Sequence, residues 1–136
     1  MNYFINEYIK RGLEFKGRTS RKAYWYGVLW YTLISILVGI ILSIIDYSIY
    51  GNEIWETIIN ESKTDKILVN DIGGGIFSLI FFIPSVALSI RRLHDINKSG
   101  WWLLTIIPPF IWSFFRGDEG ENKYGKNPLN EEVIVK

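Results

Sequence analysis

Two long uncharged stretches dominate the pattern of apolar and polar positions along the chain. No Asp, Glu, Lys or Arg occurs between Trp25 and Ile45, or between Ile72 and Ile90. At about 1.5 Å per residue, a helix formed by either stretch would cross most or all of the roughly 30 Å hydrocarbon core of a bilayer. Aromatic residues crowd the start of the first stretch, as is typical of the membrane–water interface. The pattern therefore predicts two spanning helices, residues 25–45 and 72–90.

A third apolar stretch, residues 101–115, is shorter. As a helix it would be only about 22 Å long, and Pro108 and Pro109 in its middle would break or bend it. It could cross a locally thinned bilayer, or form a re-entrant hairpin that returns to the side it left. Of these two paths we favour the one that crosses the bilayer. The path taken decides on which side of the membrane the C-terminus lies.

The N-terminal residues 1–12 have the pattern of a short amphipathic helix. Tyr3, Phe4, Tyr8 and Leu13 can share one face, whereas the intervening positions include polar residues. Such a helix either lies in the plane of the lipid headgroups or packs on its own protein, and the sequence does not choose between these two placements.

The loops on either side of the first predicted span differ in charge. From Lys10 to Lys22 there are six basic residues against the single acidic residue Glu14. A basic cluster directly before a span marks the cytoplasmic side and attracts anionic lipid. Residues 46–71 contain only two basic residues, Lys63 and Lys66. We therefore predict a cytoplasmic N-terminus and an outer loop over residues 46–71. The spacing of Ile54, Trp55, Ile58 and Ile59 is that of a short amphipathic helix on the membrane surface within this loop.

These elements predict an all-α fold, a small integral membrane helical bundle. It has two long spanning helices, a short third Pro-broken membrane segment and an N-terminal amphipathic helix. The predicted organisation is one membrane domain, residues 1–128, and a flexible tail, residues 129–136. Its predicted parts are 1–22 (interfacial or cytoplasmic), 25–45 (span), 46–71 (outer loop), 72–90 (span), 91–100 (polar connector) and 101–115 (short span or re-entrant hairpin).

Composition adds only a few constraints. The 136 residues have a net charge of +1, and their hydrophobic fraction of 49% and charged fraction of 21% are ordinary. The chain has no cysteine, which excludes disulfides and cysteine-based metal sites. The first apolar stretch begins after about two dozen residues and has no obvious small-residue cleavage site, so we expect a retained anchor. No metal or cofactor is predicted.

The polar connector between the second and third apolar stretches concentrates the candidate chemistry. Two arginines, the only histidine, an aspartate and a lysine lie within residues 91–98, and Trp101-Trp102 follows. Charges between apolar stretches of this kind belong at the water–lipid boundary, where phosphate headgroups and tryptophans also lie. We expect Ser99-Gly100 to turn the chain and the tryptophan pair to anchor it.

The neighbouring His94 and Asp95 raise the possibility of acid–base catalysis. Adjacent residues on a helix do not face each other, however, so the two need not form a pair. There is no second histidine and no HExxH motif. A structural role is favoured: Arg91 and Arg92 present planar donors suited to a phosphate or a carboxylate. Asp95 could pair with one of them, or with Arg18 or Arg21 of the first basic segment.

Three segments together resemble a known family. They are Phe15-Lys16-Gly17-Arg18-Thr19-Ser20-Arg21-Lys22-Ala23-Tyr24-Trp25, then Arg91-Arg92-Leu93-His94-Asp95 followed by Ser99-Gly100-Trp101-Trp102, and finally Gly120-Glu121-Asn122-Lys123-Tyr124-Gly125 before Pro128. In order and spacing they are similar to the YhaH-like bacterial inner-membrane proteins, domain of unknown function 805. The resemblance implies a small multi-helix protein of the bacterial inner membrane and implies no reaction. The long acidic segment, residues 51–71, departs from it.

We expect a non-enzymatic inner-membrane protein that associates with itself or with a membrane partner, and whose basic loops contact anionic lipid. A pore-forming oligomer and an enzyme acting on lipid headgroups are the alternatives, and a nucleic-acid role is not expected because no recognition motif is present. If residues 101–115 are re-entrant, the tail motif would rejoin the basic loops. The residues predicted to bind headgroups or a partner are Arg18, Arg21, Lys22, Arg91, Arg92, His94, Asp95, Trp101 and Trp102, with a tail motif of Asn122, Lys123 and Tyr124.

Overall fold

The computed structural model describes residues 4–60, 69–105 and 107–130. Over these ranges the protein is helical and has no strand, which confirms the predicted all-α class. The predicted face residue Tyr3 and most of the predicted tail, residues 131–136, lie outside the described residues. The elements are a π-helical segment (Phe4–Lys10), helix α1 (Arg21–Asn60), helix α2 (Val69–Asp95), a 3₁₀ helix (Gly100–Thr105) and helix α3 (Ile107–Trp112).

The two predicted spans lie inside α1 and α2. Residues 21–49 and 71–95 form helices that are long and apolar enough to cross a membrane. Their large apolar side chains are mostly exposed, with Leu79 exposed by 74% and Phe82 by 65%. Exposed apolar surface of this extent is unfavourable in water but suits contact with lipid tails.

Helix α1 is longer than the sequence pattern suggested. Residues 46–71 were predicted as an outer loop, but α1 continues without interruption to Asn60. Residues 46–60 contain no proline, and the ring of Tyr47 packs beside Gly51, where an added Cβ would lie 3.3 Å from the ring. Polar residues alone do not end a helix, because straight-chain ones such as Glu53 and Glu56 are good helix formers. Residues 61–68, the middle of the predicted loop, lie outside the described part of the chain.

The chain divides into two compact units. One unit contains residues 31–80. In it α1 and α2 approach closely at Gly73, where an added Cβ would lie 2.9 Å from a methyl carbon of Leu42. The rings of Tyr31 and Phe77 stack in the same unit, with centroids 6.1 Å apart. The other unit contains residues 1–30 and 81–136, and all the predicted site residues belong to it.

In this second unit the N-terminal segment packs on α2 through Tyr8. Phe4 and Tyr8 are buried, and their rings stack with centroids 5.1 Å apart. The Tyr8 hydroxyl donates to the carbonyl of Phe81 at 3.2 Å and shares a short hydrogen bond with the Ser85 hydroxyl. Leu13, in contrast, is 75% exposed. One side of the segment is therefore buried against the protein, and the other side is exposed.

The chain between Asp95 and Asp118 leaves the C-terminal end of α2 and returns to it. Helix α2 ends in a turn at Asn97, whose φ of 58° is left-handed, and Lys98 N–H donates to the carbonyl of Leu93. After the 3₁₀ helix and the six-residue α3, Asp118 N–H donates to the carbonyl of Asp95 at 2.9 Å. The two ends of the predicted short span or hairpin therefore lie close together, and its path through a membrane stays a prediction. The stretch contains only short helices because consecutive prolines interrupt it.

The buried position of Tyr8 leads to a first prediction. Tyr8→Ala removes its buried ring and both hydroxyl contacts, and we expect it to lower the free energy of unfolding by about 3 kcal/mol. Ile9→Ala is the matched control, because Ile9 is exposed on the same segment, and should change it by less than about 0.5 kcal/mol. The measurement is thermal or chemical unfolding in mild detergent. Equal effects of the two substitutions would show that the segment does not pack on α2.

Candidate functional site

The C-terminal end of α2 carries a cluster of buried charges, here called the polar cluster. Its members are Glu7, Arg18, Thr19, Arg91, Arg92, His94 and Asp95, and all except the half-buried Glu7 have at most 9% of their surface exposed. Burying a charge costs several kcal/mol unless partners compensate it. The partners of each charged group therefore determine what the cluster can do.

Arg91 is completely buried and ties α2 to the N-terminal segment. Its guanidinium donates to the backbone carbonyls of Glu7, Arg11 and Glu14, and its Nε donates to the Thr19 hydroxyl at 3.1 Å. In the opposite direction, Thr19 N–H donates to the Arg91 carbonyl at 3.1 Å. One side chain thus fixes four positions of the segment before α1.

Arg18 makes a corresponding set of contacts with the C-terminal part of the chain. Its Nε donates to Asp95 Oδ1 at 3.0 Å in a buried ion pair. Its two terminal nitrogens donate to the carbonyls of Asp118 and Gly120, each at 2.6 Å, and more distantly to Gly125. The pairing of Asp95 with Arg18, one of the options considered from the sequence, is present in the structure.

Asp95 also accepts a hydrogen bond from Arg92, which is on the same helix, α2. Arg92 donates to Asp95 Oδ2, to the carbonyl of Phe115 and, at 3.3 Å, to the carbonyl of Ser113. The carboxylate therefore lies between two guanidinium groups. Gly117 packs directly on it: an added Cβ there would lie 2.0 Å from Asp95 Oδ2, so any other residue would displace the carboxylate from its position between the two arginines.

His94 has different partners from its neighbour Asp95. Its Nδ1 lies 3.1 Å from the carbonyl of Gly17, which can only accept, so this nitrogen carries the proton. The ring stacks on Tyr124, with centroids 3.7 Å apart and planes 7° from parallel. Asn122 donates to the His94 carbonyl at 3.0 Å. The tail motif and the first basic segment thus both meet at His94, and its ring nitrogen is bonded to backbone rather than to Asp95.

Glu7 balances the N-terminal side of the cluster. It accepts from the Thr19 hydroxyl at 2.8 Å, and its carboxylate lies 3.0 Å from Arg11 and 3.7 Å from Arg91. Burial by itself would lower the pKa of Arg11, but the hydrogen bond to Glu14 and the charges of Glu7 and Glu14 raise it above its ordinary value. Arg11 therefore stays charged and neutralises the carboxylates around it.

Arg21 and Lys22, which were predicted as headgroup-binding residues, lie at the start of α1 and are exposed. One terminal nitrogen of Arg21 donates to the carbonyl of Phe114 at 3.2 Å. The ring nitrogen of Trp25, one turn further along α1, donates to the carbonyl of Ser113 at 3.3 Å. The start of α1 is thus fixed to the end of α3, with its basic side chains on the surface.

The predicted tryptophan pair is exposed, and Trp101 has 80% of its surface accessible. Trp102 makes an edge-on contact with Trp112 at 5.3 Å, and the ammonium of Lys98 lies 5.2 Å from the centre of the Trp112 ring. Lys123 of the tail motif lies over the Tyr124 ring at 5.0 Å. These residues surround the polar cluster and do not enter it.

Sequence reasoning did not find several members of the site. Glu7 and Thr19 were not proposed, although Thr19 directly follows Arg18. Gly117 has no signal except that it is a glycine near a turn. Most of the missed groups are backbone carbonyls, which carry no residue-specific signal. In the part of the chain that the structure describes, no three His, Cys, Asp or Glu side chains are grouped in a way that could hold a metal ion.

The ion pairs of Asp95 lead to a second prediction. Asp95→Asn leaves two buried guanidinium groups without their carboxylate, and we expect it to lower the free energy of unfolding by about 3–5 kcal/mol. The double variant Arg18→Gln with Asp95→Asn should cost less than the sum of the two single variants, because the groups are coupled. Unfolding in detergent measures both effects.

The matched control for this prediction is Glu119→Gln. It breaks the Arg116–Glu119 pair, whose side chains are 77% and 78% exposed, and should change stability by less than about 1 kcal/mol. If Asp95→Asn behaved like this control, or if the double variant were strictly additive, the two arginines and the aspartate would not act as one unit.

The chain matches a family model over residues 12–126, and that model is described as a protein of unknown function, DUF805. It is 35% identical over 127 residues to the inner membrane protein YhaI of Escherichia coli K12, a match that covers 88% of this chain and 90% of YhaI. It is 28% identical over 138 residues to the inner membrane protein YhaH of the same strain. This match covers 96% of this chain and 99% of YhaH. The chain is also 24% identical over 148 residues to the uncharacterized protein YiiR of Escherichia coli K12. This match covers 84% of this chain and 85% of YiiR.

No solved structure matches the chain. The matched range, 12–126, contains the first basic segment, the end of α2 and the tail motif, which are the three segments that meet in the polar cluster. Two apolar helices of spanning length accompany them. By this match over most of its length and by its similarity to inner membrane proteins, the chain is a membrane protein that belongs to the DUF805 family.

Proposed function

We propose that this protein is a non-enzymatic, multi-pass protein of the bacterial inner membrane. In this proposal the polar cluster holds the basic segments at the cytoplasmic surface, where they contact anionic lipid, and the protein associates with itself or with a membrane partner. The observation that carries the proposal is the buried Arg18–Asp95 ion pair of 3.0 Å. It joins the segment before the first candidate span to the end of the second.

The charge distribution supports a cytoplasmic position for this joined region. Six basic residues between Lys10 and Lys22 precede the first candidate span, and Arg91 and Arg92 end the second. Basic residues next to spans favour the cytoplasmic side. Residues 101–115 are then re-entrant, because Asp118 returns to within hydrogen-bonding distance of Asp95. The N-terminal segment and the tail motif would lie on the same side of the membrane.

The buried and exposed basic residues have separate roles in this proposal. Arg18, Arg91 and Arg92 direct their donors at carbonyls and carboxylates of the protein, so they support the structure. Contact with lipid phosphate is assigned to exposed side chains at the start of α1 and around the cluster. Trp101 would anchor this surface at the level of the headgroups. The residues assigned to headgroup contact are Arg21, Lys22, Lys98 and Arg116, which are all exposed.

The partners of His94 and Asp95 support a non-enzymatic role. Asp95 forms ion pairs with Arg18 and Arg92. His94 is instead hydrogen-bonded to the Gly17 carbonyl and stacked on the Tyr124 ring. A catalytic pair requires the base and its orienting group within hydrogen-bonding reach of each other.

The arrangement of the span residues weighs against a pore. The two apolar stretches contain no charged residue that could line a water-filled lumen. The hydroxyls of Ser35, Ser85 and Ser89 donate to carbonyls of their own helices, each at 2.8 Å.

Open glycines support the proposal of association between helices. An added Cβ at Gly39, Gly74 or Gly75 would meet no atom within 4 Å, whereas one at Gly73 would meet Leu42. Small residues allow two helices to approach closely in lipid, where packing rather than the hydrophobic effect drives association. The open positions are free to contact another helix, and Gly73 is already used within the chain.

The headgroup proposal is tested by charge removal. We expect Arg21→Gln with Lys22→Gln to weaken the preference for phosphatidylglycerol over phosphatidylcholine roughly thirtyfold, which corresponds to about 2 kcal/mol. The reason is that each basic residue near an anionic surface contributes about 1 kcal/mol. Lipid exchange into detergent-solubilised protein, read by native mass spectrometry, measures this preference. The charge-conserving swap Arg21→Lys with Lys22→Arg is the control and should retain the preference. No difference between the two double variants would refute headgroup contact by these residues.

Self-association is tested at the open glycines. Gly39→Leu and Gly74→Leu should lower the oligomeric fraction by about tenfold at fixed detergent, because a large side chain prevents close approach of a second helix. Ile40→Leu is a conservative control at an exposed position of the same helix. Chemical cross-linking and sedimentation in detergent give the oligomeric state. A wild-type protein that is monomeric at all concentrations, and that retains no membrane-protein partner, would contradict the proposal.

A further inference from the structure

A cavity of about 600 Å³ lies beside the C-terminal half of α2. Its longest wall is one face of α2, from Phe82 to Leu93. Tyr24 of α1 forms a second wall, and residues 103–104 and 109–113 of the short helices form a third. The volume is within the range of sites that hold small organic ligands, and Arg92 is the one residue of the polar cluster that lines it.

The three serines and the arginine in the cavity wall already donate hydrogen bonds within the protein. The hydroxyl of Ser85 donates to the Phe81 carbonyl, that of Ser89 to the Ser85 carbonyl and that of Ser113 to the Phe110 carbonyl, at 2.7–2.8 Å. Arg92, at one end, donates to Asp95 and to two backbone carbonyls. The remaining wall is mainly hydrocarbon, so an occupant gains little from hydrogen bonds and much from apolar contact.

The position of the cavity indicates where its occupant comes from. Its two ends on α2, Phe82 and Arg92, are ten positions apart, which corresponds to roughly 15 Å along the helix axis. One end lies at Arg92 beside the polar cluster, and the other lies at Phe82, inside an apolar stretch of spanning length. Leu104 and Phe110, which also line the cavity, are mostly exposed. In a membrane this opening is surrounded by lipid tails, not by water.

We infer that the cavity binds one acyl chain of a membrane lipid. The chain would lie along α2, with its headgroup end towards Arg92 and its methyl end towards Phe82. Hydrocarbon fits this space better than water, because most of the wall is apolar and the hydroxyls of Ser85, Ser89 and Ser113 already donate to backbone carbonyls. The inference depends only on the membrane environment, and it does not require the headgroup contacts proposed above.

The test uses phosphatidylglycerol with a photoreactive diazirine near the end of one acyl chain. The full-length protein in mild detergent is irradiated with this lipid, and the adducts are mapped by mass spectrometry. We expect adducts to concentrate on residues 82–93 and 103–113 and to saturate at one lipid per chain. Ser89→Phe, which fills the cavity, should reduce these adducts at least fivefold. Ile83→Phe on the same helix is the control, since Ile83 is exposed and does not line the cavity.

Two further readouts keep the inference falsifiable if Ser89→Phe does not fold. Excess unlabelled phosphatidylglycerol should remove the cavity adducts of the wild type. The same diazirine chain on phosphatidylcholine should label the same residues, even if the headgroup preference proposed above is absent. Adducts that spread over exposed positions such as Leu79 without saturation would overturn the inference. So would equal labelling of the wild type and a folded Ser89→Phe variant.

Discussion

The structure depends on how three arginine side chains, Arg18, Arg91 and Arg92, are buried around the C-terminal end of α2. Arg18, Arg91 and Arg92 are nearly inaccessible; Arg18 and Arg92 pair with Asp95, and Arg91 lies 3.7 Å from the carboxylate of the half-buried Glu7. A guanidinium without partners costs several kcal/mol to bury, so the backbone carbonyls must compensate. The carbonyls come from residues 7–14, 113–115 and 118–125. The connecting segments therefore take the paths that bring those carbonyls to the arginines.

This requirement explains why the ends of two apolar helices and the C-terminal segment meet at one place. The apolar parts of α1 and α2 expose their side chains and suit lipid. Their apolar contacts are not directional and do not determine how the loops are arranged. The polar cluster determines the arrangement of the loops, because hydrogen bonds to charged groups are directional and strong where water is excluded. The family segments coincide with these contacts, so a shared scaffold accounts for their joint presence as well as a shared reaction would.

The sequence was sufficient for the coarse architecture. The lack of charge in residues 25–45 and 72–90 predicted two long apolar helices, and both are present. The option that Asp95 pairs with Arg18 also followed from residue types alone. The carbonyl acceptors did not, because every residue has one and only the fold selects which are used. The continuation of α1 from the first apolar stretch to Asn60 was not predicted, because the change from apolar to polar residues was taken as the end of the helix. The return of the chain at Asp118 depends on backbone contacts that no composition pattern records.

The central claim, that the polar cluster holds the first basic segment and the tail motif on one side of the membrane, is tested most directly by site-specific labelling. The chain has no cysteine, so single cysteines at Lys16, Lys63 and Lys123 can each be probed with a membrane-impermeant maleimide in intact and in opened spheroplasts. The account predicts that Lys16→Cys and Lys123→Cys react only after opening, and that Lys63→Cys reacts in intact spheroplasts. Labelling of Lys123→Cys in intact spheroplasts, with Lys16→Cys protected, would contradict it.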